Sequence, residues 1–237
     1  MNRVRMVGVC VLVALAMSVI VSATASAEPE YLTKAVVAEG AKIPLTATLS
    51  AAFLEAASGT KITCTAGTGS GEVTGPRTSK NSVTTFTGCE SGGNKCTSAG
   101  KPEGAVTTVP LEGKLNGISS TLPGVRFFPE ATGRGGVLAE FTCAGVLKVI
   151  VRGSIIGMVS GAAGTNAETG KLLSSGKLTF AEAAGVQKYT SFSEGPEKGE
   201  KEQLESSISG GAYEKSGESV VVTLKTSPAT WGLGITK

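Results

Sequence analysis

Apolar and polar side chains alternate with period two along much of this chain. Leu45, Ala47, Leu49, Ala51 and Phe53 form one face, with Thr46, Thr48 and Ser50 on the other. The same period recurs at Lys61 to Thr65, in Val137-Ala139-Phe141-Cys143 against Leu138-Glu140-Thr142, and in Leu147-Val149-Val151 against Lys148-Ile150-Arg152. Residues 177–180 and 219–225 follow it too, and 82–87 are rich in β-formers. Successive side chains of a strand point to opposite faces, so this spacing predicts half-buried strands. Glycine-rich stretches at 67–71, 133–136, 161–170 and 210–211 read as turns between them. Only Ser50 to Ala57 and the Glu/Lys run around Glu200 to Ser206 compete as helices; the first is equally a strand end, the second a solvated loop or short surface helix. The pattern predicts an all-β fold, an antiparallel sandwich or barrel-like architecture. It forms a single domain over 28–237, with a candidate subdomain boundary near 160–170.

The N-terminus departs from this pattern. Arg3 and Arg5 precede an apolar run from Met6 to Val21, and small residues follow up to Ala25-x-Ala27. That order is the layout of a secretory signal peptide, with cleavage expected before Glu28 and residues 1–27 forming a signal-peptide helix. The run is shorter than the ~20 residues a spanning helix needs. The expected location is secreted, extracellular or at the cell envelope, with no membrane association after cleavage.

Removing the signal changes both charge and thiol counts. The remaining 210 residues carry twenty basic and nineteen acidic side chains, so no nucleic-acid partner is expected. Five cysteines become four: Cys64, Cys89, Cys96 and Cys143. In an exported chain these predict two disulfides, and of three pairings Cys89–Cys96 with Cys64–Cys143 is favoured. The first closes a turn-rich hexapeptide, and the second joins two strands through their apolar faces. A four-cysteine zinc site would need paired C-x2-4-C knuckles, which are absent.

The composition restricts chemistry further. The chain has no His and no Asp, so all nineteen acidic residues are Glu. Ser-His-Asp triads, His-based zinc sites, Asp-rich calcium loops and aspartic dyads are excluded. Gly67-x-Gly69-x-Gly71 lacks the spacing and the following helix of a dinucleotide fingerprint and reads as a tight turn. Ser58/Lys61, Ser98/Lys101 and Ser174/Lys177 match S-x-x-K, but at glycine-flanked turns and with no companion motif. Thr-x-Thr at 46/48, 63/65 and 85/87 has no fixed repeat. Paired glutamates are the enzyme route left open, with Glu112 and Glu140 the least loop-like candidates. No cofactor, metal or catalytic residue is assigned, and the single Trp231 reads as a buried anchor.

Gly59-Thr-Lys-Ile-Thr-Cys64, Phe86-Thr-Gly-Cys89, Cys96-Thr-Ser and Pro110-Leu-Glu-Gly-Lys-Leu-Asn-Gly117 resemble motifs of exported, Gly/Thr-rich proteins of high-GC actinobacteria. The likeness spans roughly 55–145 and implies an exported β-rich domain without implying an activity. The expected function is a non-enzymatic extracellular or cell-envelope β-protein, structural or binding. Cell-wall glycan and extracellular protein are the partner classes considered, and ligands are expected on loops. The alternatives are a glycosidase-like hydrolase using two Glu carboxylates and an inhibitor presenting the Glu90–Lys95 loop.

Overall fold

The computed structural model describes residues 28–33, 35–161, 175–226 and 234–236. The first half of the chain supplies β1 (Glu30–Leu32), β2 (Ile43–Leu49), β3 (Ala52–Ala56), β4 (Lys61–Cys64), β5 (Ala66–Val73), β6 (Thr78–Thr87), β7 (Glu90–Ser91), β8 (Asn94–Thr97), β9 (Val106–Thr107) and β10 (Leu111–Ser119). The second half supplies β11 (Leu122–Pro129), β12 (Val137–Cys143), β13 (Leu147–Gly153), β14 (Ile155–Ser160), β15 (Gly176–Phe180), β16 (Glu182–Ala183), β17 (Val186–Gln187), β18 (Leu204–Ile208), β19 (Glu214–Thr226) and β20 (Gly234–Thr236). No helix occurs among the described residues, so the fold is all-β. The signal-peptide expectation and Trp231 concern residues outside the described set.

Eight antiparallel strands close into a barrel in the order β2, β5, β6, β10, β11, β14, β15, β19. Closure leaves no unpaired edge, and eight strands give an interior only wide enough for side chains or one small ligand. A second circuit follows from the remaining pairings: β3, β4, β7, β8, β12, β13, β18 and back to β19. The thirteen-residue β19 belongs to both, pairing with β3 and β18 through its first half and with β2 and β15 through its second. Several strands pass from one ring to the other after a one- or two-residue break, at Ser50–Ala51, Thr65 and Ser154. β14 and β15, on either side of the segment near 160–170, pair directly within the first ring, Val159 opposite Leu178.

The inward faces build one continuous core, including Leu115, Val125, Val149, Ile155, Leu178 and Val222. Period two predicted most of it, with informative exceptions. Ala51 is exposed and Ala52 buried, because β2 ends at Leu49 and the chain resumes as β3 with its faces exchanged. Of the two helix candidates, Ser50 to Ala57 falls mostly on β3, and Glu200 to Ser206 is a loop that runs into β18. The glycine stretch at 67–71 is no turn: it forms most of β5, paired residue for residue with β2 and β6.

Both cysteine pairings expected from the sequence are overturned. The bridges are Cys64–Cys89 and Cys96–Cys143. The four sulfurs lie in a row across β4, the residue that leads into β7, β8 and β12, with Cys96 directly opposite Cys143 and Thr63 opposite Glu90. Cys89 and Cys96 do face each other across the β7–β8 hairpin, but the Cys96 amide donates to the Cys89 carbonyl at 2.9 Å. Hydrogen-bonded antiparallel pairs are the wider ones. The bridges instead span the close pairs, with Cα separations of 4.0 and 3.9 Å. Two disulfides fit an oxidising compartment.

Candidate ligand cavity inside the barrel

The interior of the first ring is not filled. A cavity of about 210 Å³ runs between the inward faces of β2, β5, β15 and β19 and reaches residues of the second ring such as Ile62 and Phe141. Its wall is overwhelmingly apolar, which is how a small-molecule site differs from a wet channel. β5 explains the space. Gly67, Gly69 and Gly71 take alternate positions opposite Leu49, Ala47 and Leu45. A Cβ at Gly67 would lie 2.9 Å from the Thr85 carbonyl, and one at Gly69 would lie 3.1 Å from the Val83 carbonyl. Backbone approach therefore disfavours a side chain at Gly67 and Gly69, and Gly69 and Gly71 bring bare backbone to the cavity wall. The small Ala47 faces the space from β2. The sequence placed any ligand on the loops; the cavity lies among inward strand faces.

One carboxylate enters this apolar space. Glu218 shares its face of β19 with Val220, Val222 and Leu224, and all four line the cavity. Its carboxylate makes no hydrogen bond or ion pair among the described residues. Partly buried at the cavity wall and with no cation beside it among the described residues, it is pushed by desolvation up to about 7, since an unpaired charge is disfavoured in a low-dielectric site.

The backbone of Glu218 is held in place by a side chain acting as a strand. β15 pairs with β19 down to Phe180 opposite Val220, and the next partner in register would be Glu182 opposite Glu218. The chain turns away there into the β16–β17 hairpin. Gln187, only 4% exposed, fills the slot instead. Its Oε1 accepts from the Glu218 amide at 3.0 Å, and its Nε2 donates to the Ala181 carbonyl at 2.9 Å and to the Glu218 carbonyl at 3.4 Å. Buried backbone groups need partners, and this one amide completes the ladder at the point where β19 passes between rings.

Tyr31 lies at the cavity with Gly234 and Ile235, on the β1–β20 ribbon that pairs Tyr31 with Ile235. The Tyr31 amide donates to the Pro76 carbonyl at 2.6 Å, and burial raises the phenol well above its ordinary value despite a hydrogen bond with Ser79. These contacts fasten both ends of the described chain to the barrel.

Of the catalytic candidates read from the sequence, Lys177 lies on the cavity wall and the other described ones fall elsewhere. Glu112 pairs with Lys114 at 2.5 Å and Glu140 with Lys148 at 2.8 Å, each beside its own cation. Ser58 donates to Glu214 at 2.7 Å, while Lys61 pairs with Glu55 at 3.3 Å and lies over the Phe53 ring. The Ser98 hydroxyl donates to the Glu140 carbonyl and accepts from the Thr107 amide, a structural role. Ser174 lies outside the described residues. Glu90–Lys95 is the β7–β8 hairpin, with both flanking cysteines bonded to other strands.

The Glu/Lys run is a loop, exposed at Pro196 and over Lys198–Lys201 as expected, but it is anchored on the outer face of β10 and β11, with Phe192 and Glu202 buried. Arg126, 3% exposed at its side chain, pairs with Glu197, with Glu200 at 3.2 Å and with Glu202 at 2.6 Å, and Ser154 also donates to Glu202. The Arg126 hydrogen bond and the nearby Arg134 hold Glu200 below its ordinary value.

Glu218 and Gln187 are the residues that sequence reasoning missed. A readable signal existed for Glu218, because 218, 220, 222 and 224 form a period-two stripe whose first member is charged. Comparison with protein-family models, curated proteins and solved structures finds no match.

Proposed function

We propose that the protein is a non-enzymatic binding module of the extracellular space or cell envelope that holds a small apolar molecule inside its first ring of strands. The observation that carries this reading is the apolar cavity with one carboxylate in its wall that has no partner among the described residues. A core packed purely for stability closes such voids, because each lost contact costs dispersion energy and cavity free energy. Apolar cavities of ~150 Å³ stay dry and take benzene, so by simple scaling this one suits about eight non-hydrogen atoms. The signal-like N-terminus, the two disulfides and the likeness to exported Gly/Thr-rich proteins support the compartment.

A hydrolase using two Glu residues would need a second carboxylate about 5–9.5 Å from the first. Among the described lining residues Glu218 is the one carboxylate, which favours binding over hydrolysis. A cell-wall glycan would need a different, polar surface.

The test is titration of the purified, disulfide-intact protein with 1-hexanol, followed by amide chemical shifts. Shifts confined to residues around Ala47, Gly69 and Val222, abolished in Ala47→Leu, are the expected result. Absence of saturable shifts would overturn the reading.

A further inference from the structure

Resting on that reading, the geometry points to a specific ligand class: we infer that the cavity takes a small primary amine with an apolar body, its ammonium pairing with the Glu218 carboxylate. The hydrocarbon part fills the space cleared by Gly69, Gly71 and Ala47.

The charge balance around Glu218 selects this chemistry. Directly opposed residues of antiparallel strands share a face, so the same-face neighbour of Glu218 on β3 is the apolar Leu54. Glu55 opposes Gly217 and so lies on the other face, where it pairs with Lys61; Glu182 packs against Gly217 there as well. β2 carries no charged residue, and β17 consists of Val186 and Gln187. On β18, Glu205 is occupied by Arg152 at 2.8 Å. On β19 itself, Glu214 accepts from Ser58, and Lys215 and Lys225 occupy odd positions, alternate to Glu218.

Among the described residues, the one cation on the cavity wall is Lys177 of β15. It opposes Thr223 in register, five positions along β19 from Glu218. At ~3.4 Å per residue that is roughly 17 Å, beyond the reach of a lysine side chain. No cation of the described protein reaches the carboxylate. Gln187 meanwhile fixes its backbone, so the strand does not shift to bring Glu218 to a partner or to solvent.

An anionic ligand would place a second negative charge in the same low-dielectric space and is rejected. A neutral alcohol gains one hydrogen bond to the acid or to the carboxylate and brings no countercharge to the ionised form. An ammonium gains a charge-assisted bond and removes the unpaired charge, so it alone uses the full chemistry of the site. Binding an ammonium favours the carboxylate and displaces its proton.

The experiment titrates the purified, disulfide-intact protein with hexylamine, 1-hexanol and hexanoate at pH 6 and pH 8.5. Hexylamine remains protonated across this range while Glu218, near 7, changes from mostly neutral to mostly ionised. Hexylamine is expected to bind about tenfold more tightly at pH 8.5, to release a proton on binding at pH 6, and to exceed hexanoate at both values. Glu218→Gln, which keeps shape and removes charge, should lower hexylamine affinity at pH 8.5 at least about tenfold while leaving hexanol binding in place. If that variant does not fold, the ratio of hexylamine affinities at the two pH values in the parent protein decides the same question. Hexanol binding with a pH-independent or absent hexylamine affinity overturns the amine assignment and leaves the cavity reading standing. No binding of any of the three overturns both.

Discussion

Replacing Glu218 by Gln should change how stability depends on pH, with a sign fixed by its position. In the unfolded chain this carboxyl titrates at its ordinary value of 4.5, and in the folded protein burial lifts it to about 7. Between those values the native state keeps a proton that the unfolded chain has released. Stability therefore falls as pH rises: the contribution is fully present below about 4.5 and is lost as pH passes about 7. At 1.36 kcal/mol per unit, the span amounts to about 3 kcal/mol. Glutamine resembles the protonated form at every pH, so Glu218→Gln should match the parent near pH 4.5 and exceed it by about 3 kcal/mol at pH 8. Urea denaturation at both pH values, with disulfides intact, reads this directly. With a slope near ~3 kcal/mol/M for a chain of this size, the midpoints should coincide at low pH and differ by ~1 M at high pH. Subtracting the variant's curve from the parent's removes the other carboxylates from the comparison. Equal midpoints at both pH values would refute the placement of an unpaired carboxyl in the cavity.

Gln187→Leu should cost about 2–4 kcal/mol and accelerate hydrogen exchange at the Glu218 amide, since it leaves buried backbone groups without partners. Arg126→Met should destabilise by ~3–5 kcal/mol, because the buried Glu202 keeps only Ser154 and a 3.4 Å contact with the half-exposed Arg134, and the double variant with Glu202→Gln should recover most of the loss in the same denaturation assay. Non-reducing peptide mapping should link Cys64 to Cys89 and Cys96 to Cys143; a Cys89–Cys96 fragment would contradict the row of cysteines. Ala47→Leu should raise the thermal midpoint by filling empty volume while blocking hexanol.

Much of the barrel was legible because burial imposes alternation. Phe141, Cys143, Val149, Val151, Leu178 and Phe180 announce inward faces without any knowledge of their partners. What escaped were features that carry no side-chain signal or depend on distant chain. Glycines 67, 69 and 71 alternate as strictly as any strand, yet a residue without a side chain displays no polarity, and the stretch reads as a turn. The disulfides depend on which cysteine pairs fall at narrow positions, and hydrogen-bond register is set by strands up to forty-seven residues apart. Glu197, Glu200 and Glu202 look like a solvated run until Arg126, on a distant strand, is placed beneath them. Gln187 has no sequence signature at all, because its role is to stand in for a strand that turns away.

The sharing of β19 also has a consequence in time. Each ring of eight strands is complete only when residues 214–226 join it, and that strand is the last in either circuit. A chain emerging from its N-terminus therefore holds two incomplete rings until nearly all of it has been synthesised. Its contacts are predominantly between distant residues, a topology that folds slowly. Closure of either ring waits for residues 214–226, whatever order the other strands pair in.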